Sequence, residues 1–208
     1  MNLEKRSLEM QDFFNEKADG YDEVHLPFMD SKKMICDSLD NSVERILDLG
    51  AGTGLELVPI FEKYPNVHVT AIDITENMLN LLKERDFGDK VDIICGDFFK
   101  VDFGDNYDAV ISSAALHHFV GNDKLNLYKK VYDSLKKGGL FLNCDCHAID
   151  DEDEEKRLRE FIETPDLMRH MDTPVTVEHE IEFLINAGFS EAYVKGDTGK
   201  YQLVIGKK

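Results

Sequence analysis

The stretch Ile46-Leu47-Asp48-Leu49-Gly50-Ala51-Gly52-Thr53-Gly54 constrains the fold of this chain more than any other. Residues 43–49 are apolar and rich in β-branched side chains, as a buried strand would be, and they run into three glycines on alternate positions. Without a Cβ, Gly50, Gly52 and Gly54 tolerate a left-handed backbone and the close approach of a ligand. The amphipathic segment beyond them reads as a helix, and the free N–H groups at a helix start suit a carboxylate or a phosphate. The spacing is G-x-G-x-G, and Leu55 stands where a dinucleotide fingerprint would place its third glycine. Asp48 would also repel a pyrophosphate. It favours a ligand that brings a cationic group to this point, such as an amino-acid ammonium.

Around this motif the chain alternates strand and helix. Residues 1–30 read as a helical segment with Leu8, Phe13 and Phe14 on its apolar side, a turn at Asp19-Gly20 and a break at Pro27. It either covers a sheet edge or acts as a lid that turns Tyr21 and His25 towards a ligand. A helix over residues 29–39 leads into the central strand. Pro59 places the regular start of the next helix near Leu57. A second strand, residues 67–73, ends in Asp73, nineteen residues beyond Gly54 and close to the ~20 that separates such glycines from a ribose-binding acid. Thr75 can cap the following helix (76–84) through its hydroxyl. The third strand, 91–95, ends in Gly96-Asp97-Phe98, where Asp97 can accept from a base's amine and Phe98 can pack on its ring.

A fourth strand (107–113) runs into Ala114-Ala115-Leu116-His117-His118. A helix over 123–135 should stop at Lys136-Lys137-Gly138-Gly139, with cations in its last turn. The fifth strand is 140–146, and helices near 155–163 and from a Thr176 cap to Asn186 follow. Strands 191–195 and 201–205 close the chain as an antiparallel hairpin, since their link is too short for a parallel crossover. The expected fold is α/β: a Rossmann-like, doubly wound, mainly parallel seven-stranded sheet with one antiparallel strand and helices on both faces. Asp48, Asp73 and Asp97 then stand together at the carboxyl ends of successive strands, where such sheets bind ligands.

Composition narrows the partners. The 208 residues, 42% of them apolar, can bury one core, so a single domain over 1–208 is expected. The net charge of −18 argues against a nucleic-acid partner, which needs a basic stripe. Residues 156–159, locally basic, follow the acids of 150–155 and read as a solvated helix face. Cys36, Cys95, Cys144 and Cys146 form no dense framework and read as buried free thiols. No leader is apparent and no run approaches the ~18 apolar residues of a membrane span, so a cytoplasmic protein without membrane partner is expected.

Taken together, the glycine motif, Asp73, Gly96-Asp97-Phe98, the 107–119 stretch with its Leu-His-His, and Lys136-Lys137-Gly138-Gly139 resemble the class I S-adenosylmethionine-dependent methyltransferases over roughly residues 40–208. The resemblance implies that Asp48 and the backbone from Gly50 through Ala51 and Gly52 to Gly54 hold the methionine part. Asp73 would take the ribose hydroxyls and Asp97 with Phe98 the adenine, while Ile74 and Met78 add apolar contact or simply pack the core. Ser113 and Ala114 would pass beside the methionine towards the acceptor, and Tyr21 would close over the cofactor. The reaction implied is in-line methyl transfer to a small-molecule acceptor, with S-adenosylhomocysteine as product. Where the acceptor must lose a proton, His117 and His118 are the candidate bases; packing in the core is their alternative role.

Substrate choice is expected to reside in the N-terminal cover and in the insert 147–175, which carries Arg159, Met168, Arg169 and His170. Cys144-x-Cys146-His147 places its thiols on opposite faces of a strand, so no metal is expected. Two alternatives stand beside methyl transfer. The chain could bind the cofactor without turnover or modify the cofactor itself, as carboxy-S-adenosylmethionine synthases do. A nicotinamide-dependent oxidoreductase is disfavoured by Asp48 and the glycine spacing. The oligomeric state is not legible in the sequence.

Overall fold

The computed structural model describes residues 3–163 and 172–208. Helices α1 (Leu3–Lys17), α2 (Tyr21–His25) and α3 (Met29–Ser38) precede β1 (Arg45–Leu49). Then come α4 (Leu57–Lys63), β2 (His68–Asp73), α5 (Glu76–Lys83), β3 (Val91–Cys95), β4 (Tyr107–Ser113), α6 (Gly121–Ser134) and β5 (Leu135–Asp145). The chain closes with α7 (Asp151–Glu163), α8 (Val177–Ala187), β6 (Glu191–Asp197) and β7 (Gln202–Lys207). The seven strands form one sheet in the order β3-β2-β1-β4-β5-β7-β6. All neighbours pair in parallel except β7, which lies antiparallel to both β5 and β6.

Strand alternation divides the core between two faces. Ile46 of β1 packs with Ile35 of α3, Ile60 of α4 and Leu82 of α5. Its neighbour Leu47 packs on the opposite side with Leu127 and Tyr128 of α6 and Leu184 of α8. The sheet is therefore covered twice, and the strand ends are left to carry the site. The Thr176 side chain caps α8 by accepting from His179 N at 3.3 Å, and Gly188 at φ 113° ends it.

Several expectations are corrected. The cations Lys136 and Lys137 do not close a helix: α6 ends at Ser134 and β5 begins at Leu135, which pairs with Tyr107 before a bulge. Lys136 Nζ instead binds Asp108 Oδ1 at 2.8 Å, a partner on the adjacent strand that local sequence cannot display. Helix α7 starts at Asp151, because the acids of its first turn suit the positive helix end. Pro27 does not break the N-terminal segment but sits in a 3₁₀ turn, Leu26–Phe28, that joins α2 to α3. Leu8 is 56% exposed, and Ser7 and Met10 face inward instead. Thr75 occupies the cap of α5, but its hydroxyl makes no cap bond and serves Asp73 instead. Met168, Arg169 and His170 lie outside the described residues. Arg159 is exposed on α7. All four cysteines are free, but only Cys36 and Cys144 are buried; Cys95, at the end of the edge strand β3, is exposed and Cys146 is half-buried. No helix among the described residues is long and apolar enough to cross a membrane.

Candidate functional site

The site is built at the carboxyl ends of β1, β2, β3 and β4. Gly50 N and Ala51 N bond to Ile72 O at 2.8 and 3.3 Å, which folds the loop after β1 back over β2. Gly50 has φ +76°, and a Cβ there would lie 2.4 Å from the Ala115 Cβ, so only glycine fits. Asp73 Oδ2 accepts from Gly52 N at 2.9 Å and Oδ1 from Thr75 N at 2.8 Å. Burial raises the Asp73 carboxyl above its usual range, and these N–H donors work against the rise.

Helix α1 lies across the opening. Ser7 Oγ bonds to Asp97 Oδ2 at 3.3 Å and Gln11 Nε2 to Ile74 O at 2.9 Å. The cavity beneath α1 has a free volume of about 80 Å³. Tyr21, Gly50, Gly52, Asp73, Ile74, Met78, Asp97, Phe98 and Ala114 all line it. Its polar groups stand at the sheet end and its apolar groups on the walls.

A narrower recess continues past Gly50 and Gly52 to Ala51, Glu56, Ser113 and Lys32. Lys32 is 4% exposed and its Nζ bonds to Ser113 Oγ. Behind the recess, Asp48 is wholly buried, and neither of its oxygens has a conventional donor. Burial and the adjacent Glu56 carboxylate hold Asp48 well above the usual carboxylate range. Burial raises Glu56 as well, with Lys32 opposing it. Asp48 therefore reaches the recess through Glu56, and Gly54 lines neither space. Gly54 instead packs its α-carbon against Leu82.

A second, open chamber of about 550 Å³ adjoins the first. Phe14, Tyr21, Ala114 and His118 line both. Ala114 holds φ +52°, a backbone conformation strained for a residue with a Cβ, where the chain leaves β4 between the chambers. Just beyond, Asp145 Oδ2 accepts from Leu116 N and His117 N at 2.9 Å each, and its Oδ1 lies 2.6 Å from His117 Nδ1. His117 Nε2 lies 3.2 Å from Asp172 Oδ1, and His118 Nδ1 3.4 Å from the same atom. Burial opposes a charge on His117, but the Asp145 carboxylate overrides it and holds the imidazole well above its usual value. Both histidines line the second chamber, where Asp172 Oδ1 stands beside each, and His118 lines the first as well.

Sequence reading missed Lys32, Glu56, Ser7, Met10, Phe14 and Asp145 as site groups. A glutamate two residues beyond Gly54 could have been noticed; a lysine inside a surface helix gives no signal. Cover and site are also joined by Asp22, which accepts from Thr53 Oγ1 at 2.6 Å and pairs with Arg85. Tyr21, beside Asp22, stacks on His25 with ring centroids 4.0 Å apart. Burial, with the nearby Glu56 and Asp73 carboxylates, pushes its hydroxyl far up, so it stays protonated.

Comparison with known proteins supports the same conclusion. The methyltransferase domain family matches residues 46–139. A malonyl-[acyl-carrier protein] O-methyltransferase of Priestia megaterium is 31% identical over 137 residues, 62% of this chain and 48% of the relative. A carboxy-S-adenosyl-L-methionine synthase of Nautilia profundicola is 29% identical over 168 residues, 73% of this chain and 71% of that protein. Among solved structures, human N-acetylserotonin methyltransferase in complex with SAM superposes with a TM-score of 0.71 at 22% identity, covering 95% of this chain and 56% of that one. The chain thus spans about half the length of the first of these relatives. A matched domain, a shared fold and shared sequence agree in relating this chain to the S-adenosylmethionine-dependent methyltransferases, to which it is similar over most of its length.

Proposed function

We propose that the chain transfers a methyl group from S-adenosylmethionine to a small acceptor held in the second chamber. The observation that carries this reading is the common wall of the two chambers, Phe14, Tyr21, Ala114 and His118, which sets a donor space against an acceptor space. Asp73 takes the ribose diol, Asp97 and Phe98 the adenine, and Ile74 and Met78 the apolar side of the adenosine. The amino-acid end enters the recess, with its carboxylate towards Lys32 and Ser113 and its ammonium towards Glu56 and the buried Asp48. The backbone from Gly50 to Gly52 lies along it, and Gly54 shapes the loop from behind.

The sulfonium is already activated, so the protein contributes alignment and exclusion of water. Such positioning can supply ~7–11 kcal/mol of barrier reduction. The Tyr21 ring covers the site and its π-face favours the cationic sulfur. We assign His117 and His118 to the acceptor's nucleophilic atom rather than to the cofactor.

Calorimetric titration with S-adenosylmethionine and S-adenosylhomocysteine tests the donor site. Micromolar binding that Asp73→Ala removes supports it, and a folded chain that binds neither ligand overturns it. Labelled methyl transfer to small hydroxyl, thiol and amine compounds then identifies the acceptor class. The long alignment with a carboxy-S-adenosyl-L-methionine synthase favours a second reading, in which the cofactor itself is the substrate. Mass analysis of the bound cofactor after expression separates the two, since only the second leaves a carboxylated product.

A further inference from the structure

We propose that His117, His118 and Asp172 form a site for one divalent cation of the zinc class, placed at the wall of the acceptor chamber with a coordination position open to it. The proposal rests on the reading of that chamber as the acceptor space. Its ligands do not include the thiol pair Cys144 and Cys146.

Geometry carries it. The ligand atoms His117 Nε2, His118 Nδ1 and Asp172 Oδ1 lie within 4.8 Å of one another. The carboxylate oxygen stands 3.2 Å from one nitrogen and 3.4 Å from the other. A tetrahedral ion bound to nitrogen and oxygen at about 2.0–2.2 Å keeps its ligand atoms roughly 3.3–3.5 Å apart. The His118 edge of the coordination polyhedron is therefore already at that length, and the His117 edge is about 0.1 Å short of it.

The surroundings are those of a prepared ligand. Asp145 Oδ1 lies 2.6 Å from His117 Nδ1, which fixes the proton there and turns the Nε2 lone pair towards Asp172. Carboxylate support of this kind orients metal-binding histidines and raises their basicity. Asp145 also accepts from the Leu116 and His117 backbone N–H groups, so the turn that carries both histidines is held at its start. The segment carrying Asp172 is held too, because Thr173 N bonds to His117 O at 3.0 Å. Asp172 is about half exposed, which gives an ion a path in from solvent. The chain's charge of −18 attracts cations towards it.

Two imidazoles and one carboxylate leave a fourth position, the arrangement of catalytic rather than structural sites. An acceptor hydroxyl or thiol bound there loses its proton to solvent more readily. The resulting anion then forms its bond to the methyl carbon as the carbon–sulfur bond breaks, and the sulfonium leaves as a neutral thioether. This assigns the acceptor to the oxygen and sulfur nucleophiles and makes a free histidine base unnecessary.

The test uses the full chain, stripped with chelator and titrated with zinc chloride by calorimetry, with cobalt(II) absorption as a second readout of coordination. One ion per chain is expected, with affinity reduced at least tenfold in both His117→Ala and Asp172→Asn and with tetrahedral cobalt bands that both variants lose. Titration of the same samples with S-adenosylhomocysteine reports whether each is folded and whether the donor site exists. Failure of zinc to bind a chain that binds the cofactor product overturns the metal site alone, as does equal zinc affinity in Asp172→Asn. Zinc binding without binding of the cofactor product supports the metal site and overturns the methyl-transfer reading.

Discussion

Asp22 Oδ2 lies 2.6 Å from an Arg85 guanidinium nitrogen, and this pair joins the N-terminal cover to the end of α5. Asp22 also accepts from Thr53 Oγ1, inside the glycine loop, at 2.6 Å. The cover is therefore latched to the loop it shields.

The latch should govern cofactor release. Asp22 is 41% exposed in its side chain and Arg85 20%, so solvent screens the pair and its worth stays near the exposed-pair range of ~0.2–1 kcal/mol. Arg85→Ala should speed dissociation of S-adenosylhomocysteine by at most about fivefold, with little change in melting temperature. Amide exchange over residues 3–28 should rise in the same variant. Unchanged exchange and unchanged dissociation would show that the Asp22–Arg85 pair does not hold the cover.

Asp73 should dominate ribose recognition. Asp73→Ala removes the acceptor for Gly52 N and Thr75 N as well as that for the diol. Hydrogen bonds to charged groups are worth ~1.5–3 kcal/mol, so calorimetry should show an affinity loss of roughly ten- to a hundredfold. A 2′-deoxy cofactor analogue should bind wild type more weakly but lose little further in the variant, because the two changes remove one interaction. Additive losses would place the diol elsewhere.

The parts of this site that could be read in the sequence are those whose cause is local. Strands β3 and β4 fall where their apolar runs are bounded by charge and glycine, and Asp48, Asp73 and Asp97 follow from strand ends alone. What escaped depends on distant partners. Lys136 looked like a helix-ending cation until Asp108 appeared beside it, 2.8 Å away across the sheet. Lys32 gave no signal inside α3, since its burial is caused by Ser113, eighty-one positions further on. Asp145 was an unremarked residue at the end of a strand, although it fixes the whole Leu116–His118 turn. Leu8 was assigned inward on helical spacing, whereas α1 rests on Ser7 and Met10 because the site, not the core, lies beneath it.

The raised carboxyls of Asp48 and Glu56 should make cofactor binding pH-dependent. Burial raises both, so the pair keeps a proton to higher pH than an ordinary aspartate, whose pKa is about 3.9. An ammonium group placed beside the pair stabilises the carboxylate form and expels that proton. Affinity for S-adenosylmethionine should therefore increase as pH rises, levelling off above the pKa of the empty site. Titrations in two buffers of different ionisation enthalpy should show proton release, and Glu56→Gln should reduce it. Proton uptake on binding would exclude the pair as the ammonium receptor.

The second test of stability concerns Lys124 and Glu180, 2% and 0% exposed in their side chains, whose Nζ and Oε2 stand 2.8 Å apart between α6 and α8. Burial would push the Glu180 carboxyl up, but Lys124 overrides it, so the folded value lies below the usual range. Tyr128 Oη and Asn143 Nδ2 both donate to Oε1, the latter at 2.9 Å. A depressed acid stabilises the fold above its unfolded pKa of about 4.3 and loses that contribution as pH falls towards the folded value. Lys124→Met leaves a buried carboxylate without its cation and should cost about 3–5 kcal/mol at neutral pH by urea denaturation. The deficit should shrink on acidification, because protonated Glu180 no longer needs the ammonium. Replacing Glu180 by Leu in that variant should recover stability only in part, since the Tyr128 hydroxyl and the Asn143 amide then lose their acceptor. A Lys124→Met chain less than about 1 kcal/mol weaker than wild type would mean that water or a neighbouring group replaces the lysine, and that α6 and α8 are held by their apolar contacts alone.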